Sequence, residues 1–119
     1  MPHPKPTKRP RLSRRALERL TAQLAALHGW RHLHLLVADR LEGGYPYGFA
    51  SEVLVRGDRA VLVFFAIQGQ GPTTAQQLWI SDLSAVRSIE PLVVGPEQAD
   101  ALARSLTSRE RPTPGAVER

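Results

Sequence analysis

The sequence predicts an α/β fold in which a central, mixed four-stranded sheet is flanked by helices in the order αβββαβα. Two runs rich in β-branched and aromatic residues flank the dipeptide Gly57-Asp58, which is typical of a tight hairpin. A third run of alternating polarity precedes the hairpin, and helical periodicity appears before and after these strands. With 119 residues the chain is long enough for one domain with one hydrophobic core.

The first predicted helix begins at Ser13, as its N-cap, and ends at His28, because Gly29 is a favourable C-cap. Trp30, which follows the helix, is expected in the core. The leucines of the helix recur at helical spacing and predict one apolar stripe. This stripe consists of Leu17, Leu20, Leu24 and Leu27.

The predicted first strand covers residues 31–38, in which apolar residues alternate with His32 and His34. Two further strands, over residues 50–56 and 60–67, are joined by the glycine-containing turn. Since the connections between these strands contain no predicted helix, we expect the three strands to form an antiparallel meander.

The second predicted helix begins at Thr74, which has Gln77 three residues later as in a capping box, and ends near residue 86. Its predicted buried side consists of Leu78, Trp79, Ile80, Leu83 and Val86. A fourth strand is predicted over residues 88–94, and a last helix starts at residues 95–97. The crossover helix should set the fourth strand parallel to the third.

Basic charge is concentrated at the N-terminus. Residues 1–15 contain six basic residues and no acidic one, whereas residues 16–107 contain seven arginines and nine acidic residues. Residues 1–12, with four prolines, are predicted to be a disordered basic arm. The folded domain is predicted over residues 13–107, and residues 108–119 are expected to form a flexible tail. Since the only lysines lie in the arm, no lysine is available for chemistry in the domain.

Several classes of protein are excluded or disfavoured by composition. The chain has no cysteine, which excludes disulfides, cysteine-ligated metal centres and a cysteine nucleophile. No apolar run approaches the 18 or so residues of a membrane-spanning helix, and no apolar signal-peptide core follows the basic N-terminus. The sequence therefore predicts a cytoplasmic protein with no membrane partner.

Four segments of the chain, taken together, resemble a known nuclease family. They are ALERLTAQLAALHGW, GFASEVLVRGDRAVLVFFAIQ, TTAQQLWISDL and PLVVGPEQADALARSL. In this order they are similar to the VRR-NUC (virus-type replication-repair nuclease) branch of the PD-(D/E)XK superfamily. The resemblance implies a restriction-endonuclease-like fold. It also implies metal-assisted hydrolysis of phosphodiesters, in which strand carboxylates hold the metal and a lysine assists.

The chain departs from this family at the positions that carry the chemistry. The helix glutamate of the family matches Glu18, and the glutamine at the start of the second helix matches Gln77. The strand aspartate falls on Ser51, the second acid on Ala66 and the lysine on Gln68. Two carboxylates are therefore lost, and hard cations such as Mg²⁺ need them. The resemblance thus implies an inactive nuclease with no bound metal and no cofactor.

A rearranged site is the alternative that keeps catalysis. It would use Glu18, Glu52 or Asp39 together with Gln68, and Mg²⁺ or Mn²⁺ would be its cofactor. Bringing Glu52 into the site requires the strand to present its other face, because a shift of one residue exchanges the two faces.

Individual polar residues have two interpretations each. Glu18 is either a remnant of the metal site or an ion-pair partner of the neighbouring arginines. His32 and His34 share a strand face, as two metal ligands would, but without a neighbouring carboxylate they are interpreted as surface or groove residues. Tyr45 and Tyr47 either stack on bases or pack beneath their loop.

The predicted function is DNA binding by an inactive nuclease domain. Clustered positive charge neutralises phosphates and releases their counterions, which gives affinity without sequence preference. The residues expected to contact nucleic acid are Lys5, Lys8, Arg9, Arg11, Arg14, Arg15, Tyr45 and Tyr47. Two alternatives remain, a metal-dependent endonuclease acting on branched or damaged DNA and a protein-protein interaction module on the same scaffold. The resemblance also allows a homodimer.

Overall fold

The described residues form three helices and four strands in the predicted order, which confirms the α/β fold class. The structure is a computed structural model that describes residues 11–35, 48–67 and 71–108. The predicted arm and C-terminal tail lie almost wholly outside these ranges. The elements are α1 (Arg14–His28), β1 (Arg31–His34), β2 (Glu52–Arg56), β3 (Arg59–Phe65), α2 (Thr74–Ser84), β4 (Ile89–Val94) and α3 (Ala99–Thr107). Within the described ranges, no helix combines the length and apolar character needed to cross a lipid bilayer.

The strands form one mixed sheet in the order β1-β2-β3-β4. The pairs β1-β2 and β2-β3 are antiparallel, and β3-β4 is parallel, which confirms the predicted meander and crossover. The register places Glu52 opposite His34 on one side and opposite Val63 on the other. These three side chains therefore share one face of the sheet.

Each face of the sheet packs against helices. On the face that carries Leu54 and Val63, buried residues of α1 and α3 complete the main core cluster. The opposite face carries Leu62 and Phe64, which pack with partly buried residues of α2. The members of the main cluster are Leu17, Ala25, Trp30, Leu54, Val61, Val63, Phe65, Val94, Leu102 and Leu106. The β1-β2 half of this second face is more exposed, and Val55 there is 42% accessible.

Helix α1 has the predicted ends but a different buried face. Ser13 caps it by accepting a hydrogen bond from the backbone N–H of Ala16, and Gly29 ends it in the left-handed conformation at φ 78°. The fully buried positions are Leu17, Thr21 and Ala25, and Leu27 is 75% exposed. The prediction for Leu27 was wrong because this side chain lies roughly 120° around the helix from Thr21.

The capping box of helix α2 lies one residue earlier than predicted, at Thr73 and Gln76. Thr73 accepts from the backbone N–H of Gln76, whose side chain accepts in return from the backbone N–H of Thr73. The sequence contains two overlapping Thr-x-x-Gln pairs, so spacing alone did not distinguish them. The predicted burial of Leu78 and Val86 was also wrong, since these side chains are 66% and 42% exposed.

Helix α3 begins at Ala99, later than the predicted start at residues 95–97. Two contacts keep the preceding turn from joining the helix. The Gln98 side-chain oxygen accepts from the backbone N–H of Gly95 at 2.6 Å, and the carbonyl of Pro96 accepts from the backbone N–H of Leu12 at 2.7 Å. A carbonyl that bonds a distant segment is less available for an intrahelical bond.

One tryptophan and one glycine fix the packing of the helices on the sheet. Trp30 is 6% exposed, which confirms its predicted place in the core. Gly48 has φ 81°, and a Cβ atom there would lie 2.5 Å from the carbonyl carbon of Ala75 in α2. Only glycine therefore allows the chain to pass this close to the first turn of α2.

Candidate functional site

A buried carboxylate on β2 is the centre of the candidate site. Glu52 is fully buried because it shares a face with Leu54, beneath α1. Its Oε1 lies 2.6 Å from His32 Nε2, and its Oε2 lies 2.7 Å from His34 Nδ1. An ionised carboxylate only accepts hydrogen bonds, so both imidazoles donate to it. Glu52 therefore holds both histidine rings in fixed orientations.

The pairing of Glu52 with two histidines satisfies the physical requirement for burying a carboxylate. A buried ionised group without partners is strongly unfavourable, whereas each hydrogen bond to a charged group contributes about 1.5–3 kcal/mol. Here each carboxylate oxygen has its own N–H donor. The three side chains thus form one connected unit across the β1-β2 pair.

Glu18 adds a second carboxylate to this unit from α1. One ligand atom each of Glu18, His34 and Glu52 lies within 4.8 Å of the other two. A pocket of about 390 Å³ opens beside them. It is lined by Arg15, Glu18, Arg19, Ala22, His32 and His34. Imidazole nitrogens and carboxylate oxygens are metal ligands, and the arginines make the same pocket attractive to anions.

Arg14 links Glu18 to Ser51. Its Nε lies 3.2 Å from Glu18 Oε2, and its Nη2 donates to Ser51 Oγ at 2.6 Å. The guanidinium also lies over the ring of Phe65, 5.6 Å from the centroid. The ion-pair interpretation of Glu18 is confirmed by this contact. At Ser51, where the resemblance implies a metal-binding carboxylate, the structure has a hydroxyl bonded to a fixed positive charge.

Two other predicted site residues, Ala66 and Gln77, lie elsewhere in the described structure. Ala66 is buried after β3 and lines a second pocket of about 480 Å³, together with Arg11 and Glu97, which form an ion pair at 2.9 Å. Gln77 is exposed, and its amide donates to the carbonyl of Pro72. The capping role proposed for Gln77 belongs to its neighbour, as described above. Among the described members of the predicted catalytic set, the structure therefore brings together only Glu18 and Ser51, through Arg14.

The remaining predicted contacts lie outside the described residues. This group consists of Lys5, Lys8, Arg9, Asp39, Tyr45, Tyr47 and Gln68.

Sequence reasoning missed that Glu52 joins the two histidines. It identified His32 and His34 as sharing a face but found no neighbouring carboxylate, and the structure corrects this with Glu52 and Glu18. The available signal was the predicted meander, which places β1 beside β2. The register of that pairing was the missing information.

A comparison of the chain with models of known protein families, with curated proteins and with solved structures finds no match in any of the three. None of the three comparisons identifies a VRR-NUC domain, and the resemblance to that family stays a prediction from the sequence motifs and their order. The site described above follows from the geometry of this chain's own residues.

Proposed function

We propose that this protein binds DNA through the basic N-terminal segment and the arginine-lined side of α1. The observation that carries this proposal is the placement of Arg15 and Arg19, which line the pocket beside Glu18. Within the described residues, neither arginine has a carboxylate partner within 4 Å. Residues 1–15 are basic and contain no acidic residue, and Arg15 and Arg19 extend this positive charge onto the folded helix.

Helix electrostatics support an anionic partner at this place. The first turn of α1 contains Arg14 and Arg15 and no acidic residue, although the helix dipole disfavours cations at an N-terminus. Glu18 compensates Arg14 in the folded chain. A phosphate group would compensate Arg15 and Arg19 in the same way, and guanidinium groups match phosphate oxygens in a bidentate geometry. Counterion release from the DNA would add affinity without sequence preference.

The proposal is that DNA is bound but is not hydrolysed at the positions where the resemblance implies metal-binding residues. Ser51 and Ala66 provide no carboxylate, and Ser51 is already bonded to Arg14. A divalent cation at that position would lie beside a guanidinium, which repels it. The chemistry implied by the family therefore has no ligand set at these residues.

Removing the two pocket arginines is expected to weaken DNA binding roughly tenfold and to lower the salt dependence, by about 0.9 in the logarithmic slope for each lost phosphate contact. The measurement is fluorescence anisotropy of a labelled duplex titrated with the Arg15→Gln, Arg19→Gln double variant at several salt concentrations. Both substituted side chains are exposed, so folding should be unaffected.

The matched control is the Arg87→Gln, Arg104→Gln double variant, which removes the same charge from two other exposed positions. It should bind DNA almost as the natural chain does. Equal losses in the two double variants would show that only net charge matters. Weak binding that does not respond to salt would instead favour the protein-interaction alternative.

Metal-dependent phosphodiester hydrolysis is a second candidate function, favoured by one observation. Glu18 and Glu52 converge with His34 at the pocket that Arg15 and Arg19 line. This function predicts that linear, single-stranded or four-way-junction DNA is cut in Mn²⁺ or Mg²⁺ and left intact in EDTA. The Glu18→Gln substitution should abolish the cutting. DNA that is bound but uncut in every condition would support binding alone.

A further inference from the structure

We propose that Glu18, His34 and Glu52 bind a divalent first-row transition-metal ion, with Zn²⁺ preferred over Mg²⁺, and that His32 positions Glu52. This site differs from the one implied by the resemblance, because it uses none of Ser51, Ala66 and Gln68. It stands whether or not the chain binds DNA. Each of the three ligand residues offers one atom within 4.8 Å of the other two.

The three ligands come from three elements, and the most buried of them is already oriented. Glu52 is fully buried at the start of β2, and its Oε1 is held by His32 Nε2 at 2.6 Å. A metal-ligating group that is oriented by a second hydrogen bond in this manner is typical of metal sites. His32 therefore acts as a positioning residue.

Small side-chain rotations bring the ligand atoms to coordination distance. Zn²⁺ binds nitrogen and oxygen at about 2.0–2.2 Å, which puts neighbouring ligand atoms of a tetrahedral site roughly 3.5 Å apart. In the structure the three ligand atoms lie within 4.8 Å of one another, and His34 Nδ1 is hydrogen-bonded to Glu52 Oε2 at 2.7 Å. Glu18 and His34 have side chains that are 28% and 38% exposed, so these two can rotate while Glu52 stays in place.

A structural role for the histidines alone does not involve Glu18, whose ion pair with Arg14 leaves it close to the buried carboxylate. Two hydrogen bonds from His32 and His34 already satisfy Glu52. Glu18 nevertheless brings a second carboxylate close to this buried one, and like charges at such a distance repel each other. Arg14 forms an ion pair with Glu18 and also donates a hydrogen bond to Ser51, so it does not approach Glu52 as a partner. A cation between the two carboxylates removes the repulsion.

The donor set selects the class of metal. One imidazole nitrogen with two carboxylate oxygens suits Zn²⁺, Co²⁺ and Mn²⁺, whereas Mg²⁺ prefers oxygen ligands in a strict octahedron. Affinity for such a site rises from Mn²⁺ to Co²⁺, and Zn²⁺ also binds more tightly than Mn²⁺. Three protein ligands leave a fourth position open toward the pocket. An anion there would also face Arg15 and Arg19.

The test is metal binding to the full chain in the absence of DNA. Isothermal titration with Zn²⁺ should give one ion per chain, and Co²⁺ should give visible d–d absorption that Zn²⁺ removes and excess Mg²⁺ does not. Glu18→Gln and His34→Gln should each lower the affinity by at least about 100-fold, while His32→Gln should lower it about 10–100-fold and keep the same stoichiometry.

Matched controls separate this site from incidental ligands. His28→Gln and Glu97→Gln alter a described histidine and a described glutamate outside the cluster and should leave the affinity unchanged. Circular dichroism and thermal unfolding establish that each variant is folded, and Zn²⁺ should raise Tm only where the site is intact. Binding that survives Glu18→Gln and His34→Gln, or that disappears in a control variant, would overturn the proposal. Because no DNA is present, this failure is distinguishable from failure of DNA binding.

Discussion

Replacing Trp30 by alanine is expected to lower the free energy of unfolding by about 3–5 kcal/mol. The indole is 6% exposed and belongs to the main core cluster. Its Nε1 donates to the carbonyl of Leu106 at 2.8 Å, which ties the segment after α1 to α3. Alanine would remove the apolar burial and this hydrogen bond together.

Two arginines of the hairpin strands add to the expected loss. The guanidinium groups of Arg56 and Arg59 lie 4.4 and 5.1 Å from the Trp30 ring. Each such contact contributes about 0.5–2 kcal/mol, depending on its exposure. Arg59 is 6% exposed and is also bonded to Glu90, so it would remain buried beside the cavity left by Trp30→Ala. Trp30 thus connects α1 and α3 with the β2-β3 hairpin.

Urea denaturation followed by circular dichroism measures this effect. Trp30→Phe retains most of the ring but not the N–H donor, and should cost about 1–3 kcal/mol because the Leu106 carbonyl loses its partner. Leu27→Ala is the matched control on a surface position that is 75% exposed, and should change stability by no more than about 0.5 kcal/mol. If Trp30→Ala cost no more than Leu27→Ala, the packing described for the indole would be wrong.

The order and pairing of the elements were predictable because their signals are local. The caps Ser13 and Gly29 act within one helical turn, and Gly57 takes up the positive φ of 63° that its turn needs. The direction of the fourth strand followed from the helix that precedes it. Helix boundaries were less predictable where two signals overlapped, as at Thr73 and Thr74, or where a distant segment competed for a carbonyl, as at Pro96.

The candidate site was less predictable because it depends on which face of β2 is turned inward. Alternation groups Ser51 with Val53 and Val55, and Glu52 with Leu54, but both groups contain apolar residues. Sequence reasoning took the first group as the site face, because the resemblance places the metal-binding aspartate of the family at Ser51. In the structure Leu54 is fully buried and Val55 is 42% exposed. Only the long-range pairing with β1, which brings two histidines to Glu52, makes its burial favourable.

Glu18 shows how a correct local inference differs from a complete one. Its ion pair with Arg14 is an i,i+4 contact that the sequence predicts. The contact of the same arginine with Ser51 joins residues 37 positions apart, and no local rule indicates it. The approach of Glu18 to Glu52 likewise needs the packing of α1 on the sheet. Local spacing therefore identified Arg14 as a partner of Glu18 but not the approach of either residue to the sheet.

The second large effect is expected at Glu52. Glu52→Ala should lower the free energy of unfolding by about 2–4 kcal/mol, because two charge-assisted hydrogen bonds and the packing of a fully buried side chain are lost. Urea denaturation in the presence of EDTA measures this loss without any contribution from metal. The control Glu97→Ala removes an exposed carboxylate whose ion pair with Arg11 should contribute no more than about 1 kcal/mol.

Glu52→Leu distinguishes a stabilising carboxylate from one held for binding. Leucine fills nearly the same volume, and replacing a buried ionic group by a well-packed apolar one is often neutral or stabilising. His32 and His34 are 18% and 38% exposed, so water can satisfy their freed N–H groups. We therefore expect Glu52→Leu to unfold with a free energy within about 1 kcal/mol of the natural chain, and to lose Zn²⁺ binding. A leucine variant as unstable as Glu52→Ala would instead mean that the carboxylate is kept for the fold.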